Sequence, residues 1–215
     1  MELAIDKLLW PNNVEQAVVS VPQMKFDSGM HLLWGISGSG KTSFMECVAG
    51  RRQFTQGFVR YGPVDIDLSI SRDRNRWFKQ FLSMSFQDSC LLEELTCVEN
   101  ILLPTRLNGL EKPSLSLLAE ISEVLQIEEF LLKTPDQISR GQQQRINLAR
   151  ALVYAQEILL LDEPLVYIEK ELGCQILEYI MERVRKIQLI CLLSSHDPRI
   201  ADDARVRSKL DFPLV

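Results

Sequence analysis

One eight-residue segment constrains this chain more than any other. Residues 35–42 read Gly-Ile-Ser-Gly-Ser-Gly-Lys-Thr, which satisfies the pattern G-x-x-x-x-G-K-[ST]. The segment follows an apolar run from Met30 to Trp34 and opens into a helix-compatible stretch from Lys41 to Ala49. Glycines let successive backbone N–H groups point at phosphate oxygens, and the helix N-terminus adds its positive end. A Gly/Ser surface loop, the alternative, would not require a Lys-Thr pair between strand and helix, so the segment predicts a nucleoside triphosphate site.

Two side chains of this loop have predicted roles. We expect the ammonium of Lys41 on the β- and γ-phosphates and the hydroxyl of Thr42 on Mg²⁺. The cofactors expected are therefore ATP and Mg²⁺. The nucleotide-binding residues predicted in this segment are Gly35, Ser37, Gly38, Ser39, Gly40, Lys41, Thr42 and Ser43.

A second segment places two acids after an apolar run, Ile158 to Leu161. That run has no polar face, as in a strand buried on both sides, and Asp162 and Glu163 follow it. Open α/β sheets place their ligands at such strand ends. Asp162 is expected to hold Mg²⁺, directly or through water, and Glu163 to polarise the attacking water. An acidic turn after a core strand is the alternative.

The order of elements predicts an α/β fold with a mostly parallel core sheet, and the phosphate-loop motif at residues 35–42 indicates the P-loop NTPase type. Strands alternate with helices after residue 34, whereas residues 1–34 favour short strands and turns, hence an N-terminal antiparallel β subdomain. Residues 88–150 are mainly helical and interrupt the alternation, which predicts an inserted α-helical subdomain. With 215 residues and 46% hydrophobic residues, we expect a single domain over 1–215.

Local signals give further structural expectations. Ser114 and Ser139 are predicted to cap helices that run to Leu125 and from Gly141 to Ala155. Pro104 is expected to stop the helix that Thr96 precedes. The stretch from Asp65 to Lys79 is expected to be a polar loop or a frayed helix.

Composition excludes several classes of function. The net charge of −5 gives no reason to expect nucleic acid as a partner. Five scattered cysteines without C-x-x-C spacing argue against disulfides and zinc, and favour a reducing compartment; they are Cys47, Cys90, Cys97, Cys174 and Cys191. No segment approaches the roughly 18–20 apolar residues that cross a bilayer, so any membrane role is expected to come through a partner.

A third segment adds a resemblance. Residues 138–145, Ile-Ser-Arg-Gly-Gln-Gln-Gln-Arg, resemble the L-S-G-G-Q signature of ATP-binding-cassette ATPases. The order of phosphate loop, glutamine loop, signature, acidic strand and switch histidine is that family's order, and the resemblance covers essentially the whole chain. It implies an ATPase subunit of a membrane transporter that dimerises with itself around two ATP molecules and drives a separate permease. It also implies a cytoplasmic location, peripheral at the membrane through that permease.

The resemblance assigns roles residue by residue. Trp10 corresponds to an aromatic residue that stacks on adenine, although a core or turn tryptophan is the alternative. Gln87 corresponds to the loop glutamine that senses Mg²⁺ and the γ-phosphate. Ser139, Gly141 and Gln142 correspond to the signature, which in this family caps the γ-phosphate of the other subunit's ATP. His196 corresponds to the switch histidine, so the catalytic residues implied are Glu163, His196 and Gln87.

Two segments depart from the family pattern. Arg140 stands where the commonest signature has glycine, and it either crowds the backbone or adds a cation near the phosphates. Residues 165–169, Leu-Val-Tyr-Ile-Glu, replace a Thr-Ser-Ala-Leu-Asp type loop, which is expected to weaken communication between the two nucleotide sites.

Residues 83–104 look like the corresponding segment of lipoprotein-releasing, macrolide-export and cell-division ATPases, which favours an export or release system. An ATP-gated regulatory or scaffold protein with weak hydrolysis is the alternative that the altered loop motivates. Relatives that act in DNA repair would insert long coiled coils between the phosphate loop and the signature, and relatives that act in translation would carry two cassettes. A small-molecule kinase would share the phosphate loop but would not need the signature segment.

Overall fold

The computed structural model describes residues 1–11, 18–54, 56–66, 68, 71–109, 113–203 and 205–212. Every helix in these ranges is too short or too polar to cross a bilayer. The strands are β1 Leu3–Pro11, β2 Val18–Ser20, β3 Met24–Phe26, β4 Gly29–Trp34, β5 Gln56–Tyr61, β6 Val64–Ile66, β7 Leu82–Ser85, β8 Ile158–Asp162, β9 Ile190–Ser195 and β10 Val206–Asp211. The helices are α1 Lys41–Val48, α2 Ser71–Gln80, α3 Cys97–Asn108, α4 Leu115–Leu125, α5 Arg140–Val153, α6 Lys170–Lys186 and α7 Pro198–Ala201.

The strands form two sheets of different kinds. One sheet has the order β10-β4-β9-β8-β7, and each of its neighbouring pairs is parallel. The other has the order β2-β1-β5-β6, with β3 on β1, and all its pairs are antiparallel. The parallel core and the N-terminal antiparallel sheet confirm the predicted fold class.

The parallel sheet is buried on both faces, and its central strands are apolar except for the polar residues at their carboxyl ends. All residues of β8 and β9 are buried, as near-continuous hydrophobic strands require. Alternate side chains point to opposite faces: Leu160 packs in a core with Phe44 of α1, and Leu161 in a second core with Ile146 of α5. The sheet is therefore the shared wall between two hydrophobic cores.

The helical part of the chain agrees with the predicted caps. The hydroxyl of Ser114 accepts from the N–H of Leu117 at the start of α4. Ser139 caps α5, which spans 140–153, close to the expected bounds. Helices α3, α4 and most of α5 fall within 88–150; the division of the chain into one domain with this inserted subdomain stays a prediction.

Two local expectations were wrong. The helix α3 continues through Pro104 to Asn108, because Ile101 and Thr105 on either side of the proline are buried. The hydroxyl of Thr105 donates to the carbonyl of Leu102 at 2.7 Å, which supplies a hydrogen bond next to the lost one. The stretch expected as a loop or frayed helix instead contains β6 and the regular helix α2, whose Trp77 is fully buried. In both segments, burial of side chains in the folded protein thus outweighed the local sequence signal.

Four predicted site segments follow strands of the parallel sheet. The phosphate loop follows β4, Gln87 follows β7, the acidic pair ends β8, and His196 follows β9. Because these strands are parallel, their carboxyl ends lie at the same edge of the sheet. The fold therefore brings together segments that are up to about 160 residues apart in sequence.

Candidate functional site

The loop between β4 and α1 curls as the glycine pattern requires. Gly40 is the N-cap of α1 with φ of 99°, a left-handed conformation that a side chain would strain. No side chain caps this helix end, so no side chain accepts a hydrogen bond from the first N–H groups of α1. A helix N-terminus with free donors is suited to an anion.

Lys41 lies beneath this loop and is only 5% exposed. Its Nζ donates to the carbonyl of Gly35 at 2.6 Å and to that of Ile36 at 3.0 Å. The same Nζ lies 3.7 Å from Oε1 of Glu163. The loop therefore folds around a buried cation that faces a carboxylate.

A cavity of about 340 Å³ opens above Lys41, within the size range of ligand pockets. Its walls come from the phosphate loop and from three other segments that the sequence singled out. The lining residues are Ser37, Gly38, Ser39, Gly40, Lys41, Thr42, Ser43, Gln87, Glu163, Val166 and His196. The cavity thus joins the predicted phosphate-binding, glutamine, acidic and histidine residues in one place.

The acidic pair is anchored by a residue that sequence reasoning missed. The hydroxyl of Ser194 donates to Oδ1 of Asp162 at 2.6 Å and accepts from the N–H of Glu163 at 2.8 Å. Ser194 lies in β9 directly opposite Asp162 in the register. The available signal was a pair of serines, Ser194 and Ser195, at the end of an apolar buried run.

Glu163 lies between two basic groups. Its Oε1 is 3.1 Å from Nδ1 of His196 and 3.7 Å from Nζ of Lys41. The Glu163 side chain is 13% exposed, whereas that of His196 is 67% exposed. Glu163 also has φ of 46°, an uncommon conformation for a residue with a side chain. The Glu163 carboxylate is therefore largely enclosed, with the exposed histidine beside it.

The donor set fits a hard divalent cation. Oδ2 of Asp162 is buried without a hydrogen-bond partner, which is costly for a carboxylate oxygen. The Thr42 hydroxyl and the Gln87 amide line the neighbouring cavity, so all candidate ligands are the oxygen donors that Mg²⁺ prefers. Within the described ranges no cluster of three His, Cys, Asp or Glu forms a metal cage. Mg²⁺ commonly binds through one or two protein groups plus phosphates rather than through such a cage.

The signature residues do not line this cavity. Ser139 and Gln142 close the start of α5 on each other: the N–H of Ser139 donates to Oε1 of Gln142 at 2.8 Å, and the N–H of Gln142 donates to the Ser139 hydroxyl at 3.3 Å. Ser139 and Arg140 are exposed. The tip of α5 therefore presents its polar groups to solvent.

Gly141 allows a close approach between α5 and the loop that follows the acidic pair. A Cβ at this position would lie 2.4 Å from the carbonyl oxygen of Tyr167, which belongs to the loop after the acidic pair. Tyr167 itself has φ of 65° and a side chain that is 65% exposed. The glycine is thus needed where α5 meets the loop that carries Glu163.

We expect Gly141→Ala to destabilise the fold by about 1–3 kcal/mol, since backbone must move to admit the methyl group. Gly173→Ala is the matched control: Gly173 is also helical, no atom lies within 4 Å of its Cβ position, and alanine should stabilise by about 0.5–1 kcal/mol. Urea unfolding midpoints measure both. A Gly141→Ala protein as stable as the wild type would show that the Tyr167 loop yields freely.

Helix α5 also holds the segment around Gln87. Asn147, fully buried, donates from Nδ2 to the carbonyl of Phe86 at 2.8 Å. Arg150 donates to the carbonyls of Ser89 at 2.7 Å and Cys90 at 3.0 Å. Burial lowers the pKa of Arg150, and these acceptors offset the cost of burying its charge. Polar residues on the buried face of α5 were the available signal for these contacts in the sequence.

Trp10 belongs to β1, but its side chain lies outside the described part of the structure. Its predicted contact with adenine stays a prediction.

The chain is similar to known proteins in both sequence and structure. A sequence profile described as "ABC transporter" matches residues 23–166. The molybdenum import ATP-binding protein ModC of Pseudomonas syringae pv. syringae is 28% identical over 88% of this chain, which spans only 51% of ModC. The lipoprotein-releasing system ATP-binding protein LolD of Legionella pneumophila is 29% identical over 78% of this chain and 74% of LolD.

A solved structure shares the whole fold. The dimeric bacterial ABC transporter cassette MJ0796 superposes with a TM-score of 0.85 over 98% of this chain and 94% of its own, at 20% identity. At that identity the likeness concerns the fold alone.

Proposed function

This chain belongs to the ABC transporter family, and from that premise we propose that it binds and hydrolyses ATP as the nucleotide-binding subunit of a membrane transporter. The observation that carries the proposal is the single cavity that joins the phosphate loop with Gln87, Glu163 and His196. Those are the parts that a nucleotide hydrolase needs: an anion cradle, a metal sensor and a base.

The phosphate loop would hold the triphosphate. The free N–H groups at the start of α1 and the Lys41 ammonium would contact the β- and γ-phosphates. Thr42, Asp162 and Gln87 would hold Mg²⁺, directly or through water. When bound, Mg²⁺ neutralises charge on the β- and γ-phosphates.

Glu163 would act as the base. Its carboxylate would take a proton from the attacking water as the water oxygen bonds to the γ-phosphorus and the bond to the β-phosphate oxygen breaks. The contact between His196 Nδ1 and Glu163 Oε1 at 3.1 Å would fix the orientation of that carboxylate. The exposed side of His196 remains available for the γ-phosphate.

The exposed tip of α5 supports a homodimer. Ser139, Gly141 and Gln142 do not line the cavity of their own chain, so we propose that they close the ATP held by a second copy. The dimeric MJ0796 cassette shows that this fold can pair with itself. Arg140, exposed at the same tip, would add a cation near the partner's phosphates.

An apolar groove supports a permease partner. A cavity of about 260 Å³ lies between α3, β7 and α5 and is lined among others by Phe78, Met84, Phe86, Leu103 and Leu107. It adjoins the Gln87 segment, since Phe86 lies in both. We propose that it receives a cytoplasmic helix of the permease, which would place the protein in the cytoplasm, peripheral at the membrane.

The direction of transport is the finer part of the proposal. Residues 83–104 and the likeness to LolD support an export or lipoprotein-release system. The likeness to ModC, named as an import protein, supports the opposite direction. An adjacent gene for a permease with few membrane spans and a large extracytoplasmic domain would decide for release.

Binding to membranes tests the transporter proposal. Membrane vesicles from the source cells, stripped of peripheral proteins with urea, should bind the purified chain and raise its ATP hydrolysis above the basal rate. Leu107→Asp should weaken binding at least about tenfold, since it removes an apolar contact and would desolvate a charge. Leu107 is 69% exposed, so the basal rate should not change.

Leu132→Asp is the matched control, because Leu132 is 84% exposed and does not line the groove. It should bind vesicles like the wild type. Vesicles that neither bind nor stimulate the wild-type chain would contradict the transporter proposal. That result would favour the ATP-gated regulatory protein that the altered loop around Tyr167 motivates.

A further inference from the structure

One hydroxyl group is shared by the two acids of the site. Ser194 is fully buried and lies opposite Asp162 in the register between β8 and β9. It donates to Asp162 Oδ1 at 2.6 Å and accepts from the Glu163 N–H at 2.8 Å. The direction of each bond is fixed, because an N–H group can only donate and a hydroxyl has one proton to give to the carboxylate.

The hydrogen bond from Ser194 to Asp162 determines which carboxylate oxygen of Asp162 remains available to a metal ion. Oδ1 is engaged by Ser194, while Oδ2 is buried without a partner. A carboxylate with one oxygen fixed cannot turn freely, so the second oxygen has a defined direction.

The bond to Glu163 supports an uncommon backbone conformation. Glu163 has φ of 46°, which a residue with a side chain adopts only where its surroundings hold it. Its N–H is held by Ser194, and its side chain by His196. Both ends of the residue are therefore fixed.

We propose that Ser194 is a positioning residue for the acidic pair, presenting Asp162 to the metal and Glu163 to the attacking water through one hydroxyl. The inference deepens the proposed ATP hydrolysis and rests on it. Ser194 does not line the phosphate-loop cavity, so it would act through the two acids.

The test compares Ser194→Ala with Ser83→Ala. Ser83 is also a buried serine of the parallel sheet, but its hydroxyl donates to the carbonyl of Ala151 rather than to the acids. Two readouts are used: Mn²⁺ bound in the presence of a non-hydrolysable ATP analogue, followed by electron paramagnetic resonance, and steady-state ATP hydrolysis. Thermal unfolding reports whether each variant is folded.

Loss of a hydrogen bond to a charged group should weaken Mn²⁺ binding by about tenfold or more in Ser194→Ala and lower kcat by a similar factor. The KM for ATP should change less than about twofold, because the phosphate loop is intact. Ser194→Thr keeps the hydroxyl and should restore both quantities. Ser194→Cys keeps the size but donates weakly, so it should behave like Ser194→Ala and replaces that variant if the latter does not fold.

Wild-type Mn²⁺ affinity and kcat in a folded Ser194→Ala or Ser194→Cys protein would overturn the inference. Equal losses in Ser83→Ala would also overturn it, since they would reflect general loosening of the sheet. Failure of the proposed function is distinguishable, because the wild-type chain itself would then show no ATP hydrolysis.

Discussion

Glu163→Gln is expected to lower the turnover of ATP by about 10²- to 10⁴-fold, the usual contribution of a positioned base. Glutamine keeps the size of the side chain and can still contact Nδ1 of His196, which lies 3.1 Å from Oε1 of Glu163 in the wild-type protein. It cannot accept a proton from water. Because Lys41 and the phosphate loop are untouched, ATP binding should persist.

The same variant should accumulate a dimer. If two copies close around ATP and separate after loss of the γ-phosphate, blocking hydrolysis should trap the closed form, visible by gel filtration with ATP and Mg²⁺. Glu182→Gln is the control, because Glu182 is an exposed carboxylate on α6 that does not line the phosphate-loop cavity. An undiminished rate in Glu163→Gln would remove Glu163 from its role.

Lys41→Ala is expected to abolish measurable nucleotide binding. The ammonium is the buried cation beneath the phosphate-loop cavity, and charge-assisted bonds to phosphate are among the strong ones in proteins. On binding ATP the ammonium would exchange its bonds to the carbonyls of Gly35 and Ile36 for bonds to phosphate oxygens, because it has three N–H donors in all. Losing two such bonds, each about 1.5–3 kcal/mol, corresponds to at least about a hundredfold lower affinity. A fluorescent ATP analogue titrated with Mg²⁺ present measures the loss.

Folding must be separated from binding in this variant. Lys41 also donates to the carbonyls of Gly35 and Ile36, so its loss could destabilise the loop. Lys41→Met, which keeps most of the side-chain volume, is therefore measured beside Lys41→Ala. Lys186→Ala on the exposed end of α6 is the charge control and should bind like the wild type. Micromolar affinity retained by folded Lys41→Ala and Lys41→Met would contradict the phosphate-loop assignment.

The sequence was most informative where a function depends on neighbouring residues. The loop at 35–42 and the pair Asp162-Glu163 could be read directly, because backbone curvature and strand ends are set by local residue types. The parallel sheet followed from apolar runs without a polar face, such as Ile158 to Leu161.

Contacts set by register and packing were not readable. Ser194 and Asp162 are 32 residues apart, and only the pairing of β8 with β9 places them opposite each other. The approach of Gly141 to Tyr167 depends likewise on how α5 packs. Pro104 was expected to end α3, and burial of its neighbours on that helix outweighed the lost hydrogen bond.

Helix α5 has a mechanical consequence for a dimer. Its shaft grips the carbonyls at Phe86, Ser89 and Cys90, and its first turn rests on the backbone at Tyr167. In the proposed dimer, the N-terminal end of α5 would contact the nucleotide bound by the other subunit. A shift of α5 on nucleotide binding would therefore reach both the Gln87 segment and the loop after Glu163 in its own subunit. The position of this one helix would then depend on whether the other subunit has ATP bound.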